Sequence, residues 1–278
     1  MHEDRAYLAV MLAGPRLREL ETVPQPPSRF FAYGQPQAPS PARELLRDTS
    51  VVPATDDWPF LYMRGRSLPF HYGAVLAMVL VFSVAAVMLT LRGEAGAWSW
   101  QFFFLGAGFM LLETKSIIQF ALLWGSTWVV ASLAIASVLA MALAANFIVS
   151  RREIGRPWAV GAVLIALLAA NYAIPIGRVS FESRIAESLF YAALQFSPIL
   201  CAGLLFGSAI KRSTSVARDY GTNLLGAMVG GIAEYMSLVT GFRMLLVAIA
   251  ACYVAALVAR HIEARRSMAR LDVLGAAG

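Results

Sequence analysis

An all-α integral membrane bundle of about seven transmembrane segments follows from three observations. Hydrophobic residues make up 59% of the 278 positions and charged residues only 14%, and the mean hydropathy is +0.64. A soluble globule neither needs that balance nor easily stays in solution with it. After residue 68, seven apolar runs have lengths near the roughly 20 residues that a helix needs to cross the hydrocarbon core. The breaks between them are rich in arginine, lysine, glycine and proline, residues that end helices and meet headgroups.

The runs are residues 70–91, 101–124, 127–149, 157–176, 188–210, 221–240 and 242–260. They form the membrane domain, residues 69–262, and the last two read as a tight helical hairpin around Gly241. Residues 1–68 are extramembrane: they hold Pro24, Pro26, Pro27, Pro36, Pro39 and Pro41 and no run long enough to cross a bilayer. Within them Leu8, Leu12, Leu17 and Leu20 predict a short amphipathic helix, broken at Gly14-Pro15 and stopped by the proline tract. Residues 263–278 form a basic cytoplasmic tail.

The net charge of +6 comes from basic residues clustered between the apolar runs, where they serve orientation and headgroup contact rather than nucleic acid. The lipid bilayer is the expected partner. Breaks after the third, fifth and seventh runs carry Arg151, Arg152 and Arg156, then Lys211, Arg212 and Arg218, then Arg260, Arg265, Arg266 and Arg270. These should face the cytoplasm. Seven complete crossings then leave the segment before residue 70 outside, although it ends in Arg64 and Arg66. A variant in which 101–124 enters and leaves on one face, as a re-entrant segment, leaves six crossings and brings that segment into the cytoplasm. Charge counting mildly favours that variant, and both arrangements stay open.

The run 101–124 carries the strongest chemical signal. Glu113-Thr114-Lys115-Ser116, with Gln119 one turn on, sits near its middle, where a charge costs roughly 2.5–3.5 kcal/mol on insertion scales and so faces protein or a watery cavity. At 100° per residue Glu113 and Lys115 point roughly 200° apart, so each needs a partner elsewhere. Each also has a glycine two turns before it, Gly106 for Glu113 and Gly108 for Lys115, where a neighbouring helix can approach. In the sixth run Asn223, Ala227, Gly230 and Glu234 share a face, and Gly226 with Gly230 forms a GxxxG. Glu234 is the expected partner of Lys115. Such a cluster serves either as an ion, proton or amine site, or as inter-helix bridges that fix packing.

Asn146, Asn171, Gln195 and Pro198 read singly as inter-helix hydrogen bonds or kinks, and Arg243 as an interface residue. Asp56-Asp57 reads as a turn leading into the membrane, with Trp58, Tyr62 and Tyr72 at the interface. Cys201 and Cys252 lie in separate apolar runs and offer neither a disulfide framework nor a metal-ligand spacing. His2, His71 and His261 are scattered, and no nucleotide loop, HExxH or GxSxG occurs, so no metal, cofactor or catalytic residue is expected.

Thr55-Asp56-Asp57-Trp58-Pro59-Phe60-Leu61-Tyr62 resembles the closing segment of spermidine-synthase-like domains in bacterial proteins that fuse this domain to a multi-helix membrane region. Phe103 through Ser116, Ala121 through Trp128 and Asn223 through Tyr235 look like motifs of those membrane regions. The resemblance covers residues 45–260. It implies a multi-pass protein of the bacterial inner (plasma) membrane. The family's adenosyl-binding Gly-rich unit and its acidic amine-binding residues do not precede Thr55, so residues 1–68 read as a remnant of that domain's end and no catalytic residue carries over. The expected role is a membrane module that anchors or serves a separate spermidine-synthase-like or methyltransferase-like subunit. The alternative is a transporter of a small cation or amine that uses the buried Glu and Lys residues.

Overall fold

A computed structural model of the chain describes residues 55, 57–60, 63, 65–90, 98–125, 127–174, 181 and 183–276. The expectations for residues 1–54, including the amphipathic helix at 8–20, and for Asp56, Tyr62 and Arg64 fall outside these. Among the described residues the fold is all-helical, with a single backbone bridge between Thr55 and Trp58.

Seven helices follow one another: α1 (Phe70–Thr90), α2 (Trp100–Trp124), α3 (Trp128–Arg151), α4 (Pro157–Ala173), α5 (Arg184–Ile210), α6 (Val216–Ala233) and α7 (Phe242–Ala276). Their ends are chemically determined. Gly125 takes φ 93°, closing α2, and the Thr127 hydroxyl accepts from Val130 N to cap α3. Pro157 opens α4, where its missing N–H has no intrahelical partner to lose. After α6 the chain tightens into a 3₁₀ turn at Glu234–Met236, makes one more helical turn at Ser237–Thr240, and reverses at Gly241 with φ 88°. The sixth run is therefore not one α-helix to residue 240. The helix of the seventh run does not end at 260 either: α7 continues to Ala276, into the residues expected to form the basic cytoplasmic tail.

Facing residues fix the helix directions. Gly226 of α6 meets Phe103 of α2 and Gly230 meets Ala107, so α2 and α6 run parallel. Gly203 and Gly207 of α5 meet Ala145 and Val149 of α3, again parallel. By contrast α2 and α7 pair Gly108 with Tyr253 and Gln101 with Glu263, and α4 pairs Trp158 with His261 and Tyr172 with Arg243 of α7. Those pairs are antiparallel. Tyr72 in the first turn of α1 stacks near Tyr235, just beyond α6. Helices α1, α3, α5 and α7 thus point one way, and α2, α4 and α6 the other.

Five helices are long and apolar enough to cross a membrane: Phe70–Leu89, Trp100–Trp124, Trp128–Arg151, Leu189–Ile210 and Phe242–Arg265. Helix α4 is apolar but only 17 residues long. Helix α6 carries Arg218, Asp219 and Asn223. The re-entrant variant of residues 101–124 does not occur, because α2 is one unbroken helix of 25 residues. Helix α2 is also the hub, packing against α3, α5, α6 and α7, and the core is built from its Phe102, Leu105, Leu111 and Leu112 with Ile199, Leu205, Ile249 and Tyr253 of α5 and α7.

One consequence of alternating direction is a charge asymmetry. Arg151, Arg152, Arg156, Lys211, Arg212, Arg218, Arg260 and Arg265 all gather at the end where α2, α4 and α6 begin. We call it the basic end. The other end begins α1, α3, α5 and α7 and holds the segment 55–69; among its described residues it carries Arg66, Arg184 and Arg243.

A candidate functional site in the helix core

The α2–α6 contact is backbone against backbone. A Cβ at Gly106 would fall on the Asn223 carbonyl, one at Gly226 on the Phe103 carbonyl, and one at Gly230 on the Ala107 carbonyl. In each case the glycine hydrogen points at a carbonyl oxygen, the geometry of a weak Cα–H···O contact worth about 0.5–1 kcal/mol. The Asn223 amide adds a donor bond of 3.0 Å to Phe102 O. Asn223 and Gly230 of the expected stripe, with Gly226 of the GxxxG, therefore meet α2, and Gly106 is their counterpart. Gly108 faces elsewhere, against Tyr253 and Cys252 of α7.

This close approach carries Thr114 to the end of α6, where its hydroxyl faces the Glu234 carboxylate. The same hydroxyl donates back to Met110 O at 3.0 Å. Glu234 also lines a cleft of about 270 Å³ with Phe60, Tyr72, Tyr235, Ser237 and Leu238. That cleft lies at the end opposite the basic one.

Lys115 does not pair with Glu234. One residue past Thr114, it points about 100° further round α2, away from α6 and toward α5. There its amine donates to Gln195 Oε1 at 3.3 Å, with only 3% of the residue exposed. The single ion pair among the described residues is Arg218 with Asp219. A buried ammonium is thus held by a neutral amide. Glu113, half-buried, makes no hydrogen bond or ion pair among the described residues.

Pro198 explains why α5 can receive these groups. Proline lacks the N–H that would bond Leu194 O, and its ring crowds the preceding turn. The freed Leu194 carbonyl accepts from Asn171 Nδ2 of α4 at 2.8 Å, and Gln195 O accepts from Ser116 Oγ at 3.4 Å. Residues that read singly in the sequence, Asn171, Gln195 and Pro198, therefore form one layer with Lys115 and Ser116. Their joint signal is a proline three residues after a buried amide, opposite a charged turn. Two acceptors, Asn171 Oδ1 in this layer and Gln119 Oε1 one turn beyond Lys115, are buried without a donor among the described residues.

A second unit closes the bundle at the non-basic end. Asp57 O accepts from Phe242 N at 2.8 Å and Asp57 Oδ1 from Arg243 N at 2.7 Å, satisfying two of the free N–H groups at the start of α7. Trp58, expected at the interface, is completely buried, and its indole donates to Leu238 O at 2.7 Å. Phe60 stacks on Phe242. Asp57 is thus a helix cap supplied from 186 residues away, a role that local sequence does not reveal. Arg243 spreads over the Tyr172 ring and donates to Tyr172 O, remaining exposed as expected.

Cys201 and Cys252 are free, and no group of three or more His, Cys, Asp or Glu able to hold a metal occurs among the described residues. Comparisons with protein-family models, curated proteins and solved structures return no match.

Proposed function

We propose that this chain is a seven-crossing module of the bacterial plasma membrane belonging to a spermidine-synthase-like system, in which it anchors or serves a catalytic partner. The observation that carries the reading is the clasp: the stretch that resembles the end of a catalytic domain is built into the bundle through Asp57 and Trp58. It caps α7 beside α6, and α6 packs on α2, so three stretches that carry the resemblance join in one unit. Seven crossings are consistent with the alternating directions: α4 spans about 26 Å, and α6 with its two following turns, residues 216–240, spans about 37 Å. Affinity purification of the full chain from native membranes should recover a subunit with a Gly-rich adenosyl-binding domain. Recovery of the chain alone, across several mild detergents, would remove this reading's main support.

A second reading, transport of a small cation or amine, is favoured by the polar layer and by the charge asymmetry. Glu234 opens to a cleft, and Gln119 and Asn171 offer buried acceptors suited to a cation or an N–H donor. The basic end is the cytoplasmic side by the lysine and arginine rule, which leaves the clasp end outside. An adenosyl-consuming partner seated on the clasp needs that end in the cytoplasm; a transporter does not. Impermeant thiol labelling of Ser67→Cys in intact cells separates the two: reaction from outside favours transport, and protection with labelling only after lysis favours the module.

A further inference from the structure

A cavity of about 1080 Å³ lies at the basic end between α2, α6, α7 and the α5–α6 turn. Its charges are unequally satisfied. Asp219 accepts from Arg218 Nε and Nη2 at 2.8 Å and from Ser213 Oγ at 2.6 Å. Glu263 accepts from Ser99 Oγ at 3.3 Å and, at the start of α2, from Gln101 N at 3.5 Å. Both carboxylates are thereby tied to local donors. Arg212 and Arg260 also line the cavity, and Arg212 is the charge that the Arg260 guanidinium senses. Neither meets a carboxylate among the described residues. Among the described residues Arg212 donates to Ile154 O at 3.5 Å.

Two like charges facing one cavity repel each other, an arrangement that an anion between them would relieve. The remaining walls favour an amphiphilic anion. Trp98 lines the cavity and keeps a buried indole N–H without a partner among the described residues, Trp100 is exposed beside it, and Phe104, Val258 and Ile262 supply apolar surface. Tryptophans at such a depth mark the headgroup level. We infer that this cavity binds a phosphate-bearing anion, with Arg212 and Arg260 holding the phosphate oxygens in bidentate fashion. The phosphate comes from an anionic phospholipid headgroup or from a soluble phosphate ester; the chemistry is shared.

The test uses the full chain in nanodiscs, with Arg212→Gln/Arg260→Gln as the variant and Arg151→Gln/Arg152→Gln as a control that removes equal charge from the same end, outside the cavity. Lipids carried through purification are read by native mass spectrometry, and phosphate is titrated into phosphatidylcholine discs while the Trp fluorescence is followed. If the source is lipid, phosphatidylglycerol is retained over phosphatidylcholine by about tenfold or more, and the preference falls toward unity in the Arg212/Arg260 variant but not in the control. If the source is soluble, phosphate shifts the fluorescence of wild type and control but not of the variant. Arg212→Lys/Arg260→Lys keeps the charge without the fork, so intermediate retention is expected and guards against a variant that merely unfolds. No lipid preference together with no phosphate response overturns the proposal, as does a preference that the control loses as fully as the variant.

Discussion

Helices α1 and α2 invert the rule that governs soluble proteins. Helix α1 is the more apolar, with a mean hydropathy of 2.4 over its best window against 1.2 for α2, yet none of that window is buried in α1 and half is in α2. Phe70, Val81, Phe82 and Met88 of α1 point outward. Gly106, Gly108, Lys115 and Ser116 of α2 point inward. In a bilayer the lipid already satisfies apolar surface, so hydropathy marks what faces the tails, while small and polar residues mark what faces protein. The weakest hydropathy signal among the five long helices thus belongs to the one against which α3, α5, α6 and α7 pack.

The comparison breaks most readily at the α2–α6 contact. Gly226→Val drives a side chain into the Phe103 carbonyl, backbone that cannot swing away, and should destabilise the fold by about 3 kcal/mol. Gly73→Val on α1, where an added Cβ would meet only a Leu68 methyl at 4.0 Å, should stay within about 0.5 kcal/mol. Thermal unfolding of both in the same mild detergent makes the comparison, and equal losses would refute it.

Smaller effects sharpen the picture. Gln195→Leu removes the acceptor from a buried ammonium and should cost about 2 kcal/mol, and adding Lys115→Met should recover most of it, because the stranded charge is then gone as well. A double-mutant cycle that adds without coupling would mean that Lys115 has another partner. Asp57→Ala strips an acceptor from the α7 N-terminus and should cost about 1 kcal/mol, visible as faster proteolysis near Gly241. Phe82→Leu on the outer face of α1 should cost less than about 0.5 kcal/mol.

Much of this was legible in the sequence. Apolar run length located the first five helices to within a few residues, since crossing length and helix rise allow little freedom, but it misplaced both ends of the sixth and the C-terminal end of the seventh. Glycines two turns before each charge, and the Asn223 to Glu234 stripe, pointed to close helix contact. The partner of Lys115 was not legible. Helical phase says only that Lys115 and Thr114 diverge; which neighbour each one meets depends on the order of helices around α2, and that order comes from many weak contacts at once. Asp57 capping α7 and the two arginines facing one cavity have the same origin, being joined across 186 and 48 residues. No local pattern encodes such distances. Glu234 was placed within an α-helix, whereas the chain tightens into a 3₁₀ turn there.

The central claim is that α2 and α6 run parallel in one register, setting Thr114 against Glu234 and turning Lys115 toward α5. Cysteine cross-linking in native membranes, in a Cys201→Ser/Cys252→Ser background, measures this directly. Met110→Cys with Gly231→Cys should form a disulfide rapidly, because a Cβ at Gly231 lies 3.8 Å from the Met110 side chain. Rapid bonding of Met110→Cys with Leu224→Cys instead, about two turns earlier on α6, would contradict the parallel register and the polar layer built on it.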